Sequence, residues 1–130
     1  HPFNPLKALR LAVALGEDSA AINKIFNFIY AEGGDVEGAN GWRRLMTQLG
    51  LADGDAQITA PKIKQALKNN TDEALAAGVF GVPTFVAGGE IFWGQDGTGM
   101  FVDWLKDPAG FATGEFARIA DLPYGAQRPR

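Results

Sequence analysis

A proline stands directly before a predicted strand in the segment Gly78–Phe85 (GVFGVPTF). Proline has no backbone N–H for a sheet ladder, so Pro83 fits the first position of that strand. A cis bond between Val82 and Pro83 would expose the N–H and C=O groups of Val82 to a cleft, where a peptide-like ligand could pair with them as a strand does. Base rates favour the alternative, an ordinary trans proline that merely begins a strand.

A second segment, Phe92–Asp96 (FWGQD), leads from the next predicted strand into a helix. Backbone N–H groups at a helix start attract a carboxylate, and Asp96 could bind an ammonium group. Together they would hold the zwitterionic end of an amino-acid-like ligand. Locally favoured alternatives are that Asp96 caps the helix and that Trp93 packs within a hairpin.

Composition excludes several other kinds of chemistry. The chain has no cysteine, which excludes disulfides, thiolate zinc sites and a cysteine nucleophile within it, and its one histidine is the terminal His1. A net charge of -3 argues against a nucleic-acid partner, and no apolar run is long enough for a membrane span. Three lysines are spaced as on a solvated helix face: Lys62, Lys64 and Lys68.

Three helices are predicted in the first 49 residues. Asn4 followed by Pro5 predicts the capped start of a helix. The segment Leu6–Leu15 is apolar on nearly all sides, which is typical of a buried helix. Asp18 or Ser19 can cap the second helix. Two amphipathic stripes mark the second and third helices: Ile22, Ile25, Phe26 and Ile29, then Trp42, Leu45, Met46 and Leu49.

The middle of the chain is less regular. Residues 51–57 predict a polar loop, and Thr59 is the predicted cap of a fourth helix. Asn70 with Glu73 three residues later resembles a capping box, so residues 60–77 form either one kinked helix or two.

The pattern changes after Gly78, which fits a left-handed helix end. Thr84–Val86 and Glu90–Trp93 predict a β-hairpin that turns at Gly88 and Gly89. A last amphipathic helix follows and ends at Asp107. The remainder predicts a short extra helix with Phe111, Phe116 and Ile119, then a loose tail over Pro123–Arg130.

The predicted sheet is too small to stand alone, because an isolated hairpin is marginal in water and its edges need partner strands. The chain also opens without an initiator methionine. We therefore expect a cleaved or partial form of a longer polypeptide, with a piece of its sheet missing.

Three segments resemble the later half of 2-hydroxychromene-2-carboxylate isomerases, which are relatives of kappa-class glutathione transferases. They are NPLKALRLAVAL (residues 4–15), NTDEALAAGVFGVPTF (70–85) and EIFWGQD (90–96). The resemblance covers about residues 1–105 and implies an α/β fold, a thioredoxin-like domain with an all-helical domain inserted between its halves. In this family the Val-Pro bond is cis. The first βαβ unit, which carries the serine that activates the thiol nucleophile, has no counterpart in this chain.

The resemblance also implies the site residues. Val82, before Pro83, would match the residue whose backbone pairs with the cysteinyl part of glutathione. Trp93, Gly94, Gln95 and Asp96 would match the segment that holds the γ-glutamyl end. No catalytic residue and no metal ligand is expected in this chain.

Two departures from the family pattern are visible. The family usually has Arg or Lys after the aspartate, where this chain has Gly97, Thr98 and Gly99. The stretch from Asp107 onward is also longer than expected.

The implied domains are residues 1–78 (inserted helical domain), 79–106 (second thioredoxin half) and 107–130 (C-terminal extension). The implied activity interconverts 2-hydroxychromene-2-carboxylate and trans-o-hydroxybenzylidenepyruvate with glutathione as cofactor, in the cytoplasm, with little activity in this chain alone. Implied partners are a small aromatic substrate and either the missing N-terminal segment or a second copy of the chain, a homodimer when intact.

Two alternatives stay open: a kappa-class glutathione transferase acting on another electrophile, and a non-catalytic helical interaction module. The coding sequence upstream of His1 separates enzyme from module. An in-frame strand and serine-containing turn there favour an enzyme, whereas a start codon directly before His1 favours the module.

Overall fold

The computed structural model describes residues 3–120, apart from the side chains of Glu115, Ile119 and Ala120. His1 and the predicted tail at 123–130 lie outside the described residues. The chain divides between Glu73 and Ala74 into two compact units. We call the first the helical unit and the second the hairpin unit.

The helical unit contains the three helices predicted for the first 49 residues, followed by two more. They are α1 (Leu6–Ala14), α2 (Ser19–Phe26) with a π-helical continuation (Asn27–Ala31), α3 (Ala39–Leu49), α4 (Gly54–Thr59) and α5 (Pro61–Ala76), whose last three residues belong to the hairpin unit. The Asp18 carboxylate accepts a hydrogen bond from the Ala21 N–H at 2.8 Å and caps α2 as predicted. The π-helical turn has no signal in the sequence pattern.

Helix α1 is not buried on all sides. Ala8 and Leu11 enter the core, whereas Leu6 and Leu9 are 42% and 44% exposed. The helix begins at Leu6 rather than Pro5, and the Asn4 side chain accepts a hydrogen bond from the Leu6 N–H at 3.0 Å. The prediction of an all-round buried helix was therefore wrong in this chain, where only one face of α1 finds packing partners.

The predicted loop at 51–57 was also wrong, because it contains the start of α4. Asp53 caps this short helix by accepting a hydrogen bond from the Ala56 N–H at 2.9 Å. Thr59 ends α4 instead of beginning the next helix, and its hydroxyl donates to the Asp55 carbonyl at 2.8 Å. Six residues with one buried side chain, Ile58, are too few for a recognisable apolar stripe.

Helix α5 is one continuous helix, so the capping box at Asn70 does not form. The Asn70 amide instead donates to the Glu17 carboxylate at 2.6 Å, a contact between α5 and the turn after α1. A long-range contact of this kind cannot be read from local sequence.

The core of the helical unit is apolar and continuous. Its largest fully buried side chains are Phe28, Leu11, Leu45 and Val36. Gly41 permits a close approach of α3 to the preceding loop, since a Cβ there would lie 1.9 Å from the Asp35 carbonyl oxygen. This packing holds the helices together without any buried charged side chain among the described residues.

The hairpin unit contains an antiparallel two-stranded sheet, as predicted. Strands β1 (Thr84–Ala87) and β2 (Glu90–Trp93) pair in register from Thr84 opposite Trp93 to Ala87 opposite Glu90. Gly88 and Gly89 both have positive φ, 59° and 88°, as a two-residue hairpin turn of this twist requires. Helix α6 (Gly97–Lys106) follows. The described chain therefore has a helix-rich α/β fold.

One face of the hairpin is covered by aromatic side chains. The Phe85 and Phe101 rings stack with their centroids 4.4 Å apart, and Phe92 contacts both Phe101 and Trp104. On the opposite face Val86, Ile91 and Trp93 are exposed.

Two short helices follow α6 where the sequence predicted one. They are α7 (Pro108–Phe111) and α8 (Gly114–Ala120). The Phe111 ring lies 6.4 Å from that of Phe92 and 4.5 Å from that of Phe116, so these residues extend the aromatic cluster. Within residues 3–120 no helix is long and apolar enough to cross a membrane.

Replacing Leu45 by alanine is predicted to destabilise the helical unit. The side chain is 0% exposed, and its loss leaves a cavity, so the free energy of unfolding should fall by about 2–5 kcal/mol. Urea unfolding followed by circular dichroism at 222 nm measures the change. The matched control is Leu75→Ala at a 64% exposed position, where a change within about 0.5 kcal/mol is expected. Equal losses in both variants would contradict the assigned core.

Candidate functional site

A hydrogen bond joins the two segments that the sequence analysis singled out. The Gly94 N–H donates to the Pro83 carbonyl at 2.8 Å, one residue beyond the Thr84–Trp93 pair that ends the hairpin ladder. Gly94 has φ +84°, a backbone conformation that residues with a side chain rarely adopt. The chain before β1 and the chain after β2 therefore run side by side.

Val82 presents its backbone at this point. The Val82–Pro83 bond is cis, as the family resemblance implied, and the Val82 residue is 87% exposed. Its N–H and C=O groups make no backbone hydrogen bond with any residue in the described range. Both groups are available to an extended, peptide-like ligand.

Trp93 lies across the loop that leads to Val82. Its ring centroid is 5.3 Å from that of Phe80, and a Cβ at Gly81 would lie 2.7 Å from the indole nitrogen. The Trp93 residue remains 55% exposed. Sequence reasoning missed Phe80 and Gly81 as site residues, although Gly81 stands directly before the Val-Pro pair that drew attention to the segment.

Asp96 does not cap α6. Its backbone is already helical, and its carboxylate accepts no capping hydrogen bond. The first N–H groups of the helix bond to backbone carbonyls instead: Gly97 to Gly94 and Thr98 to Gln95, each at 3.2 Å. The local alternative, a capping aspartate, was therefore wrong.

Two backbone donors remain at the turn before α6. The N–H groups of Gln95 and Asp96 have no backbone partner within residues 3–120, and both residues are exposed. The Asp96 carboxylate has no hydrogen bond or ion pair to any other described residue. This turn offers two N–H donors for a carboxylate and one carboxylate for a cation.

Replacing Gly81 by alanine is predicted to displace Trp93. The new methyl group would overlap the indole, and this exposed side chain can move away, so the effect should fall on its position more than on stability. A ¹H–¹⁵N spectrum resolves the indole N–H resonances of the chain's three tryptophans, and a Trp93→Phe variant assigns the one that should shift.

Gly99→Ala in α6 is the control for this experiment. No atom lies within 4 Å of a Cβ there, so the Trp93 resonance should stay in place while helix stability rises by about 0.5–1 kcal/mol. An unmoved Trp93 resonance in Gly81→Ala would contradict the assigned packing.

No group of three or more metal-ligating side chains lies together in the described part of the chain. No curated protein matches the sequence at a significant level. A family model does match: residues 2–106 correspond to the DSBA-like thioredoxin domain, and this match ends at the last residue of α6. The match covers far more than half of the 130 residues. The chain belongs to the DSBA-like thioredoxin domain family.

Proposed function

We propose that this chain is the C-terminal part of a cytoplasmic, glutathione-dependent isomerase that interconverts 2-hydroxychromene-2-carboxylate and trans-o-hydroxybenzylidenepyruvate. The observation that carries the proposal is the hydrogen bond from the Gly94 N–H to the Pro83 carbonyl. It sets an unpaired peptide unit at Val82 beside the turn Trp93–Asp96. Membership in a thioredoxin-like family and the resemblance of these segments to the isomerases support the same assignment.

The backbone of Val82 fits the cysteinyl part of glutathione. A peptide binds to a free strand edge through one N–H and one C=O group, and both are unpaired at Val82 among the described residues. Because backbone groups make these bonds, the type of side chain at position 82 matters little for them.

The turn before α6 fits the γ-glutamyl end, which carries an ammonium group and a carboxylate. The Asp96 carboxylate would bind the ammonium, and the N–H groups of Gln95 and Asp96 would bind the carboxylate. The positive end of the α6 dipole favours the same anion. Trp93 would cover one side of the peptide with its exposed indole.

Bound glutathione supplies a thiolate nucleophile to the conjugated substrate. The residues of this chain bind and orient the tripeptide. The serine that would hold the thiolate by a hydrogen bond belongs, in the family this chain resembles, to the first βαβ unit. In the isomerase we propose, that unit would complete the site, and a homodimer is the proposed assembly.

A kappa-class glutathione transferase would use the same residues on another electrophile. Turnover assays with 2-hydroxychromene-2-carboxylate and with an activated aryl halide, on the protein that also carries the first βαβ unit, separate the two activities. Isomerisation without conjugation supports the proposal, and conjugation without isomerisation contradicts it.

Asp96→Asn is predicted to weaken glutathione binding and leave stability nearly unchanged. Loss of the charge should raise the Kd at least tenfold, which corresponds to about 1.5–3 kcal/mol for a hydrogen bond to a charged group. The free energy of unfolding should change by less than about 0.5 kcal/mol, because the carboxylate makes no bond to any described residue. Isothermal titration calorimetry and urea unfolding measure the two quantities.

Asp103→Asn is the matched control, the same substitution at an exposed position on α6. Among the described residues the Asp103 carboxylate pairs with Lys106 alone, at 3.0 Å on the surface, so neither affinity nor stability should change appreciably. An unchanged affinity of Asp96→Asn for glutathione would contradict the proposed role of this aspartate in binding the ammonium group.

A further inference from the structure

An open cavity of about 300 Å³ lies between α1 and α5, entirely within the helical unit. Leu6, Leu9 and Leu67 provide an apolar surface in it. Arg10, Lys64 and Lys68 also line it, against one acidic residue, Asp72. The cavity thus combines apolar walls with an excess of positive charge in a chain whose net charge is negative.

Two of these three cations have no partner in residues 3–120. Lys68 forms an ion pair with Asp72 on the same helix, whereas the Arg10 guanidinium and the Lys64 ammonium form no ion pair or hydrogen bond with any described residue. The Nε atom of Arg10 is itself buried and unbonded. A buried N–H donor of a charged group is costly to leave without an acceptor.

We propose that this cavity binds a small organic carboxylate with an apolar body. The guanidinium of Arg10 and the ammonium of Lys64 would hold the carboxylate, because the fork of donors on arginine matches the two oxygens of such a group. The three leucines would contact the apolar body. Because Lys68 pairs with Asp72, the charges left for a ligand are those of Arg10 and Lys64, and the three leucines favour an organic anion over inorganic phosphate.

The three lysines of α5 differ in whether they line this cavity. Their spacing predicts a solvated face for Lys62, Lys64 and Lys68 alike, but Lys62 lies outside this cavity. None of the residues that line it belongs to the glutathione-binding segment proposed above. The inference therefore goes beyond the proposed function and stands or falls without it.

Titration of the ¹⁵N-labelled 130-residue chain with benzoate tests the proposal. Benzamide keeps the ring without the charge, and acetate keeps the charge without the ring. We expect saturable shifts of the Leu9, Arg10 and Leu67 amides with benzoate. Binding of either control should be at least about tenfold weaker, as expected when one charge-assisted bond or the apolar contact is lost. Equal affinity for benzoate and benzamide would overturn the proposal.

Charge-removing variants locate the site. Arg10→Gln and Lys64→Gln should each weaken benzoate binding about tenfold, and Lys62→Gln on the same helix should leave it unchanged. Circular dichroism verifies that each variant folds, and if Arg10→Gln does not, the exposed Lys64 decides the test. An equal effect of Lys62→Gln, or no effect of Lys64→Gln, would contradict the assignment.

A flotation assay with vesicles of anionic phospholipid tests whether the two cations bind a membrane surface instead of a small carboxylate. Vesicle binding that depends on Arg10 and Lys64, without saturable benzoate shifts, would assign these cations to a membrane surface and overturn the small-molecule site. Absence of vesicle binding together with saturable benzoate shifts supports it.

Discussion

The hydrogen bond between the Gly94 N–H and the Pro83 carbonyl is the contact on which the candidate site depends. It continues the hairpin ladder past Thr84 and Trp93, so the loop at Val82 and the turn at Asp96 become neighbours although Gly94 follows Val82 by twelve positions. The covered face of the hairpin, where Phe92 meets α6, fixes the direction in which that turn leaves the sheet. Two unpaired backbone regions are thereby presented together.

The hairpin and the first three helices could be predicted because their signals are local. A glycine pair at 88–89 between two β-prone runs, and apolar stripes with helical spacing, each specify one element through short-range sterics or one-sided burial. The errors arose where the local signal was weak or tertiary contacts decided the outcome. Helix α4 depends on its cap at Asp53 and on the burial of Ile58, and α5 stays continuous while Asn70 bonds to the distant Glu17.

The candidate site shows the same division. Val82, Pro83 and the segment Trp93–Asp96 were singled out from their residue types, but their free hydrogen-bonding groups are visible only in three dimensions. The departure from the family pattern after Asp96 also has a local cause in this chain. A Cβ at Gly97 would lie 3.2 Å from the Phe92 carbonyl carbon, so the close return of the chain over β2 favours glycine there. Phe111, which lies beyond the family match, still packs against Phe92.

Amide hydrogen exchange at Val82 tests the central claim most directly, because that claim is that a tripeptide pairs with this backbone unit. The measurement uses this chain joined to the first βαβ unit that the proposed function calls for, with and without saturating glutathione, and the Ala87 amide in β1 as the internal reference. The account predicts that exchange at Val82 slows by at least about tenfold on binding, while Ala87 is unaffected. Saturation with glutathione that leaves Val82 exchange unchanged would contradict it.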